Sequence, residues 1–178
     1  MRRMDAGVEI ADEIPATERI STAPIAKARV RFYDERLNRL YELIEDIEIT
    51  MMTTRRHDGS LVSRPMATQR RSSGAHLWFA AREDSRKVRE IACDPNVNLA
   101  YYRDRTREWI SVSGAARICR DRSKIRELYE PTWKAWFPNE GGLRDGGPED
   151  PRMVLIGVDA RCAQVAKVDR AGTIIIGG

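Results

Sequence analysis

Three short stretches bring together residue types that can hold an anionic, planar ligand. Ser63-Arg64-Pro65-Met66-Ala67 reads as a strand, Leu77-Trp78-Phe79-Ala80 as a second strand, and Asp84-Ser85-Arg86-Lys87 as the opening of a helix. Pro inside a strand forfeits a ladder donor. Arg86 and Lys87 stand in a first helical turn, where the helix dipole disfavours cations. Both oddities make physical sense if an anion with a flat body sits there. A phosphate would take the N–H groups of the helix start, with Ser85 as N-cap and Lys87 as cation. Arg64 would add a guanidinium to the phosphate or to the planar group. Pro65, Met66 and Ala67 would form a flat apolar wall, with Trp78 stacking on or lining the site.

Each residue also has a plain structural explanation. Ser85 alone is a cap, Lys87 a solvated charge, Trp78 and Phe79 core, and Pro65 the mark of an edge strand. The joint arrangement over one strand–strand–helix unit is what points to a ligand. Other chemistries find little support. Cys93, Cys119 and Cys162 are widely spaced, no Cys-x-x-Cys pair exists, and only His57 and His76 could join them. No metal site is therefore expected, and the thiols read as free. No paired acid and base and no activated nucleophile stands out, so no catalytic side chain is assigned.

The elements that must position these residues follow from periodicity. At 178 residues, with 42% hydrophobic and 33% charged residues, the chain suits one soluble domain with its own core. No apolar run is long enough to span a bilayer. Met1-Arg2-Arg3-Met4-Asp5 lacks a following apolar segment, so no secretory signal is expected and the cytoplasm is the default compartment. The net charge is +4, but Arg and Lys interleave with Asp and Glu, which argues against a nucleic-acid footprint.

Residues 1–32 are polar and carry Pro15 and Pro24, and read as a flexible extension. A domain follows over 33–170, with a tail over 171–178. Leu37, Leu40, Tyr41 and Ile44 predict an amphipathic helix over 34–46. Residues 47–54, 60–69 and 75–81 read as strands joined by Asp58-Gly59 and Ser72-Ser73-Gly74 turns, which predicts a three-stranded meander. Residues 85–92 form a short helix with Val88, Ile91 and Ala92 inward, ended by Asp94-Pro95. Two strands follow over 96–102 and 108–119, and Gly114 suggests a bulge or a close backbone approach. A helix over 121–130 turns Ile125, Leu128 and Tyr129 inward. Residues 131–138 are aromatic and bounded by Pro, and 139–150 form a loop. Closing strands are predicted over 152–158 and 162–168, with a short apolar segment, a candidate last strand, at 173–176. Short strands, tight turns and inserted helices argue for an antiparallel barrel, mainly β with helices.

A flavin mononucleotide combines the phosphate and the flat ring that this unit suits. The chain resembles the FMN-binding split-barrel proteins related to pyridoxamine 5'-phosphate oxidase, within them the general stress protein branch. The resemblance rests on Met51-Met52-Thr53-Thr54, Ser63-Arg64-Pro65-Met66-Ala67, Leu77-Trp78-Phe79, Asp84-Ser85-Arg86-Lys87-Val88, Asp94-Pro95-Asn96-Val97-Asn98, Ser111-Val112-Ser113-Gly114 and Trp133-Lys134-Ala135-Trp136-Phe137-Pro138. It covers about residues 34 to 168. It implies a six-stranded antiparallel split β-barrel and a homodimer with two flavin sites at the interface. By position, Ser85 and Lys87 are implied phosphate ligands. Ser63, Arg64, Pro65, Met66 and Ala67 are implied around the ring, and Trp78 and Phe79 on the strand beneath it. Ser111 to Gly114, or Trp133 and Trp136, are implied to approach the ring from the partner subunit. The implied cofactor is FMN, with FAD as the alternative.

Two positions depart from the family pattern. Ala80-Ala81 stands where a hydroxyl residue is usual, and Gln164-Val165-Ala166 where an aromatic pair is common. The substrate-binding Arg and His of pyridoxamine phosphate oxidases have no counterpart in Arg161 to Gly178, so that activity is not expected. Three functions are expected in order: an FMN-dependent oxidoreductase of unknown substrate, a flavin-holding stress or redox-sensing module without turnover, and a ligand-free interaction scaffold.

Overall fold

The computed structural model describes residues 23–167 and 170–175. The predicted extension over 1–32 therefore lies outside the described residues for 1–22. Its remainder is helical, because α1 runs Ala23–Ile44. Leu40 and Ile44 are buried and seat this helix on the barrel, with Leu37, Tyr41 and Leu43 half-buried beside them. Each fully buried apolar side chain of this kind stabilises the packing by roughly 1.5–3 kcal/mol.

The strands are β1 (Ile49–Arg55), β2 (Leu61–Ala67), β3 (Leu77–Arg82), β4 (Asn96–Arg103), β5 (Glu108–Cys119), β6 (Met153–Lys167) and β7 (Arg170–Ile175). The sheet order is β2-β1-β4-β5-β6-β3, all antiparallel, with β7 added against β6. This six-stranded path is a split barrel: β2 and β3 are its two ends. They approach through the bond from Gln69 N to Trp78 O, 2.9 Å.

The predicted meander is therefore only half right. β1 and β2 form the hairpin turned at Asp58-Gly59, but β3 leaves β2 and pairs with β6. The reason lies in β3 itself, where Leu77, Trp78, Phe79 and Ala81 are all buried. A strand buried on both faces needs cover from two sides, which the hairpin edge cannot give. The two predicted closing strands are one continuous strand, β6, and the apolar segment after it is β7.

Gly114 behaves as its position suggests. The β5–β6 register shifts between Ser113 and Gly114, and a Cβ there would lie 2.6 Å from the Asp159 carbonyl oxygen. The bulge lets β5 bend so that its two halves serve different parts of the barrel.

Two apolar clusters fill the interior. The larger lies inside the barrel and includes Met52, Phe79, Leu99, Tyr101, Ile110 and Val158. The second, with Trp78, Ile125, Leu128, Trp133, Phe137 and Leu155, lies under α3 (Arg122–Leu128) and a 3-10 segment, Pro131–Trp136. Asp121 caps α3 by accepting from Ser123 N at 2.8 Å. The remaining helix, α2 (Arg86–Cys93), turns Val88 and Ile91 into the barrel. Among the described residues no helix is long and apolar enough to cross a membrane.

The outer face of the sheet carries large apolar side chains in the open. Ile49, Met51, Leu61, Tyr102 and Trp109 are each at least 40% exposed. Register places them on one face: Met51 opposes Pro65 and Ala100, and Tyr102 opposes Trp109.

Candidate functional site

The start of α2 faces a cavity of about 270 Å3. Pro65, Met66 and Ala67 of β2 form one wall, Ala80, Ala81 and Arg82 of β3 another, and Trp133, Trp136 and Phe137 a third. Ile49 and Gln69 complete the lining, with Ser85 and Lys87 at the helix end. Pro65 is tolerated because β2 is the end strand of the sheet path.

Ser85 occupies the N-cap position in extended geometry (φ −72°, ψ 149°), yet its side chain makes no capping bond. Its Oγ is buried with no hydrogen-bond partner. Buried hydroxyls are normally satisfied, so an orphan at a cavity wall asks for a ligand atom. Lys87 forms no ion pair or hydrogen bond among the described residues. Burial, and then the like charge of Arg64, push its ammonium pKa below the ordinary lysine value, with Glu90 opposing. A half-buried lysine and an orphan hydroxyl two residues apart fit a phosphate group and would serve no purpose toward an apolar ligand.

Of the residues expected around a ligand, Pro65, Met66, Ala67, Ser85, Lys87 and Trp136 line this cavity. Ser63, Arg64, Trp78 and Phe79 do not. Ser63 shares the outer face of the sheet, where its Oγ lies 2.7 Å from Thr53 Oγ1. Trp78 is in the second apolar cluster, its Nε1 donating to Ser72 O at 3.1 Å, and Phe79 is fully buried inside the barrel. Trp133 and Trp136 reach the cavity from the same chain, and Ser111 and Ser113 are bound to Asn98.

Arg64 points inward, where Glu90 of α2 takes its Nη2 at 2.8 Å. Thr54 donates to the same carboxylate at 2.6 Å, and Arg56 approaches it at 3.6 Å. Burial raises the Glu90 pKa, but Thr54 and the arginines outweigh it and hold the carboxyl below its ordinary value. The anion that makes Arg64 tolerable in a strand is thus supplied by the protein, and this network ties α2 to the β1–β2 hairpin.

Sequence reasoning missed Gln69 and Arg82. Gln69 is fixed by donating to Ala67 O at 2.9 Å, and Arg82 forms a two-point pair with Asp84 at 3.0 and 2.7 Å. Gln69 lies two residues past β2, and only the closing of the barrel brings it to the site. A larger cleft of about 610 Å3 lies between α1 and the β2–β3 connection. Its polar walls are occupied: Tyr41 donates to His76 O, Arg71 stacks on the Tyr41 ring at 3.5 Å, and Asp46 pairs with Arg103. It holds no orphan buried donor comparable to Ser85.

A sequence profile described as "Pyridoxamine 5'-phosphate oxidase like" matches residues 35–176. The chain belongs to the pyridoxamine 5'-phosphate oxidase-like family. Protein bli-3 of Neurospora crassa is 39% identical over 136 residues, which span 75% of this chain and 65% of that protein. The chain thus matches less than two thirds of the length of that relative. Among solved structures, a protein of Clostridium acetobutylicum related to general stress protein 26 superposes with TM-score 0.66 at 18% identity. It covers 80% of this chain and 95% of its own. The general stress FMN/FAD binding protein of Xanthomonas citri gives TM-score 0.59 at 24% identity, over 75% of this chain and 89% of its own. These two likenesses bear on the fold, which is the split barrel of the pyridoxamine 5'-phosphate oxidase-like family.

Proposed function

We propose that the protein binds FMN in the 270 Å3 cavity as a homodimer and acts as an FMN-dependent oxidoreductase in a general stress response. The observation that carries this reading is the orphan Ser85 Oγ near the half-buried Lys87, which has no ion pair among the described residues. The N–H groups at the start of α2 add donors to the same place. Ala80 and Ala81 leave room there but offer no hydroxyl, so the grip on phosphate falls to Ser85, Lys87 and the backbone. Pro65, Met66 and Ala67 would back one side of the ring, and Trp136 would shield the other from water. Bound flavin supplies hydride or electron transfer through its ring, and the chain binds, orients and shields it.

The exposed face of Ile49, Met51, Tyr102 and Trp109 supports the homodimer, because patches of this kind mark protein interfaces. Ile49, Pro65 and Ala67 also line the cavity, so a second copy on that face would border the ring site. At about 270 Å3 the cavity of one chain is below the roughly 300–1,000 Å3 of small-molecule sites, which fits a site completed by a partner.

A second reading, that the protein holds flavin without turnover, is favoured by the lining itself. Its titratable side chains are Arg82 and Lys87, with no carboxylate, histidine or thiol among them. Titration of the purified chain with FMN, followed by flavin absorbance and fluorescence, tests binding. Lys87→Ala is expected to weaken FMN about tenfold or more, the worth of one charged contact. Unchanged affinity would misplace the phosphate. Reduction of the loaded protein by NADPH and reoxidation by candidate acceptors separates the oxidoreductase from the holder.

A further inference from the structure

We propose that a second cleft, on a different stripe of α2, binds the phosphates of a nucleotide. It measures about 410 Å3 and lies between the hairpin residues Arg56, His57 and Asp58 and the helix residues Arg86, Arg89 and Glu90. Arg86, Arg89, Glu90 and Cys93 follow the i, i+3, i+4, i+7 spacing of one helical face. Ser85 and Lys87, which serve the first cavity, are outside that face.

The acids of the cleft are already engaged. Glu90 accepts from Thr54 and Arg64, and Asp58 accepts from Ser60 N and Oγ at 2.9 and 2.6 Å. Arg56 reaches Glu90 only at 3.6 Å, and Arg86 and Arg89 form no ion pair among the described residues. Three guanidinium groups therefore border one concavity: Arg56 has Glu90 and Asp58 near it, and Arg86 and Arg89 have no ion pair among the described residues. Arg86 stands moreover in the first turn of a helix, against the dipole. Guanidinium forks match phosphate oxygens two at a time, and the volume falls in the range of small-molecule sites.

Two sources carry this chemistry. One is the pyrophosphate and adenylate half of FAD, extending from a flavin in the first cavity past Arg86; this source rests on the flavin reading. The other is a free nucleotide bound independently of flavin. ADP is the probe, added to the full chain saturated with FMN in phosphate-free buffer and followed by calorimetry. ADP is expected to bind, more weakly as salt rises. Arg56→Gln/Arg89→Gln should lose about tenfold or more in ADP affinity while FMN affinity stays within about twofold. Cys93, exposed at the end of the same stripe, gives a local readout without mutation: ADP should slow its alkylation by iodoacetamide.

An FAD affinity about tenfold above that of FMN, erased in the double variant, assigns the cleft to the adenylate half. Equal flavin affinities with ADP bound assign it to a free nucleotide. The proposal is overturned if the wild-type chain neither binds ADP nor prefers FAD. Where ADP binds, it is equally overturned if the double variant retains full ADP affinity or Cys93 is not protected. Failure of FMN to bind would sink the flavin reading alone, since ADP binding, Cys93 protection and the double variant are read equally well on flavin-free protein.

Discussion

Ser85→Ala separates a helix cap from a ligand residue, because the two roles move stability and binding in different directions. An N-cap serine that accepts from the first turn contributes about 0.5–2 kcal/mol, which its alanine variant loses. Here the Ser85 side chain makes no such bond, and its Oγ is buried without a partner. A buried unsatisfied hydroxyl costs about 1–3 kcal/mol, so removing it should leave the flavin-free protein unchanged or more stable by about that range. The same change removes a donor to a charged phosphate, a bond worth about 1.5–3 kcal/mol, or roughly ten- to a hundredfold in FMN affinity. Urea unfolding of the flavin-free protein reads the first quantity, and quenching of FMN fluorescence the second. Loss of about 1 kcal/mol in stability with unchanged FMN affinity would refute the reasoning and make Ser85 an ordinary cap.

Lys87 gives a pH signature. Its folded pKa is lowered by burial and by Arg64, so between that value and the ordinary lysine pKa near 10.4 the unfolded chain binds the extra proton. Flavin-free stability should therefore rise with pH across that window, while FMN affinity falls, and Lys87→Ala should flatten both trends in urea and fluorescence titrations. Glu90→Ala leaves Arg64 partly buried without its anion, with only the Thr54 hydroxyl as partner, and is expected to cost about 3–5 kcal/mol in chemical unfolding. Trp109→Glu places a charge in the exposed apolar face and should turn a dimer into a monomer in light scattering, with weaker FMN binding if the partner completes the site.

Much of the fold is legible from local pattern. The short helix ended by Asp94-Pro95, the Asp58-Gly59 hairpin and the Gly114 bulge all follow from residue type alone. What escaped is long-range. The departure of β3 to β6 depends on a partner more than 70 residues away in register, Leu77 opposite Val158. The site divides in the same way. Ser85 and Lys87 are positioned by one helix turn and could be read from sequence, as could Pro65 and Met66 on an end strand. Trp78 and Phe79 could not, because periodicity does not say that β3 is buried on both faces. Gln69 enters the cavity only because the two ends of the split barrel meet there.

The fates of Arg64 and Lys87 show why spacing alone could not sort cavity-lining groups from structural ones. Both are cations near the start of α2, and sequence treats them alike. The structure sets one carboxylate, Glu90, among Arg64, Arg56 and Lys87. Glu90 bonds Arg64 directly and touches Arg56 only at 3.6 Å, so its single charge cannot also satisfy Lys87. Arg56 faces the other cleft, so on the cavity side Arg64 and Lys87 stand against one acid and leave a surplus of one, with an orphaned hydroxyl at the same helix start. An anionic phosphate carries that missing charge and accepts that missing bond. Exchanging Glu90 for a neutral residue would enlarge the surplus and also free Arg64 to turn toward the cavity. The acid therefore decides which of two similar cations remains available to a ligand.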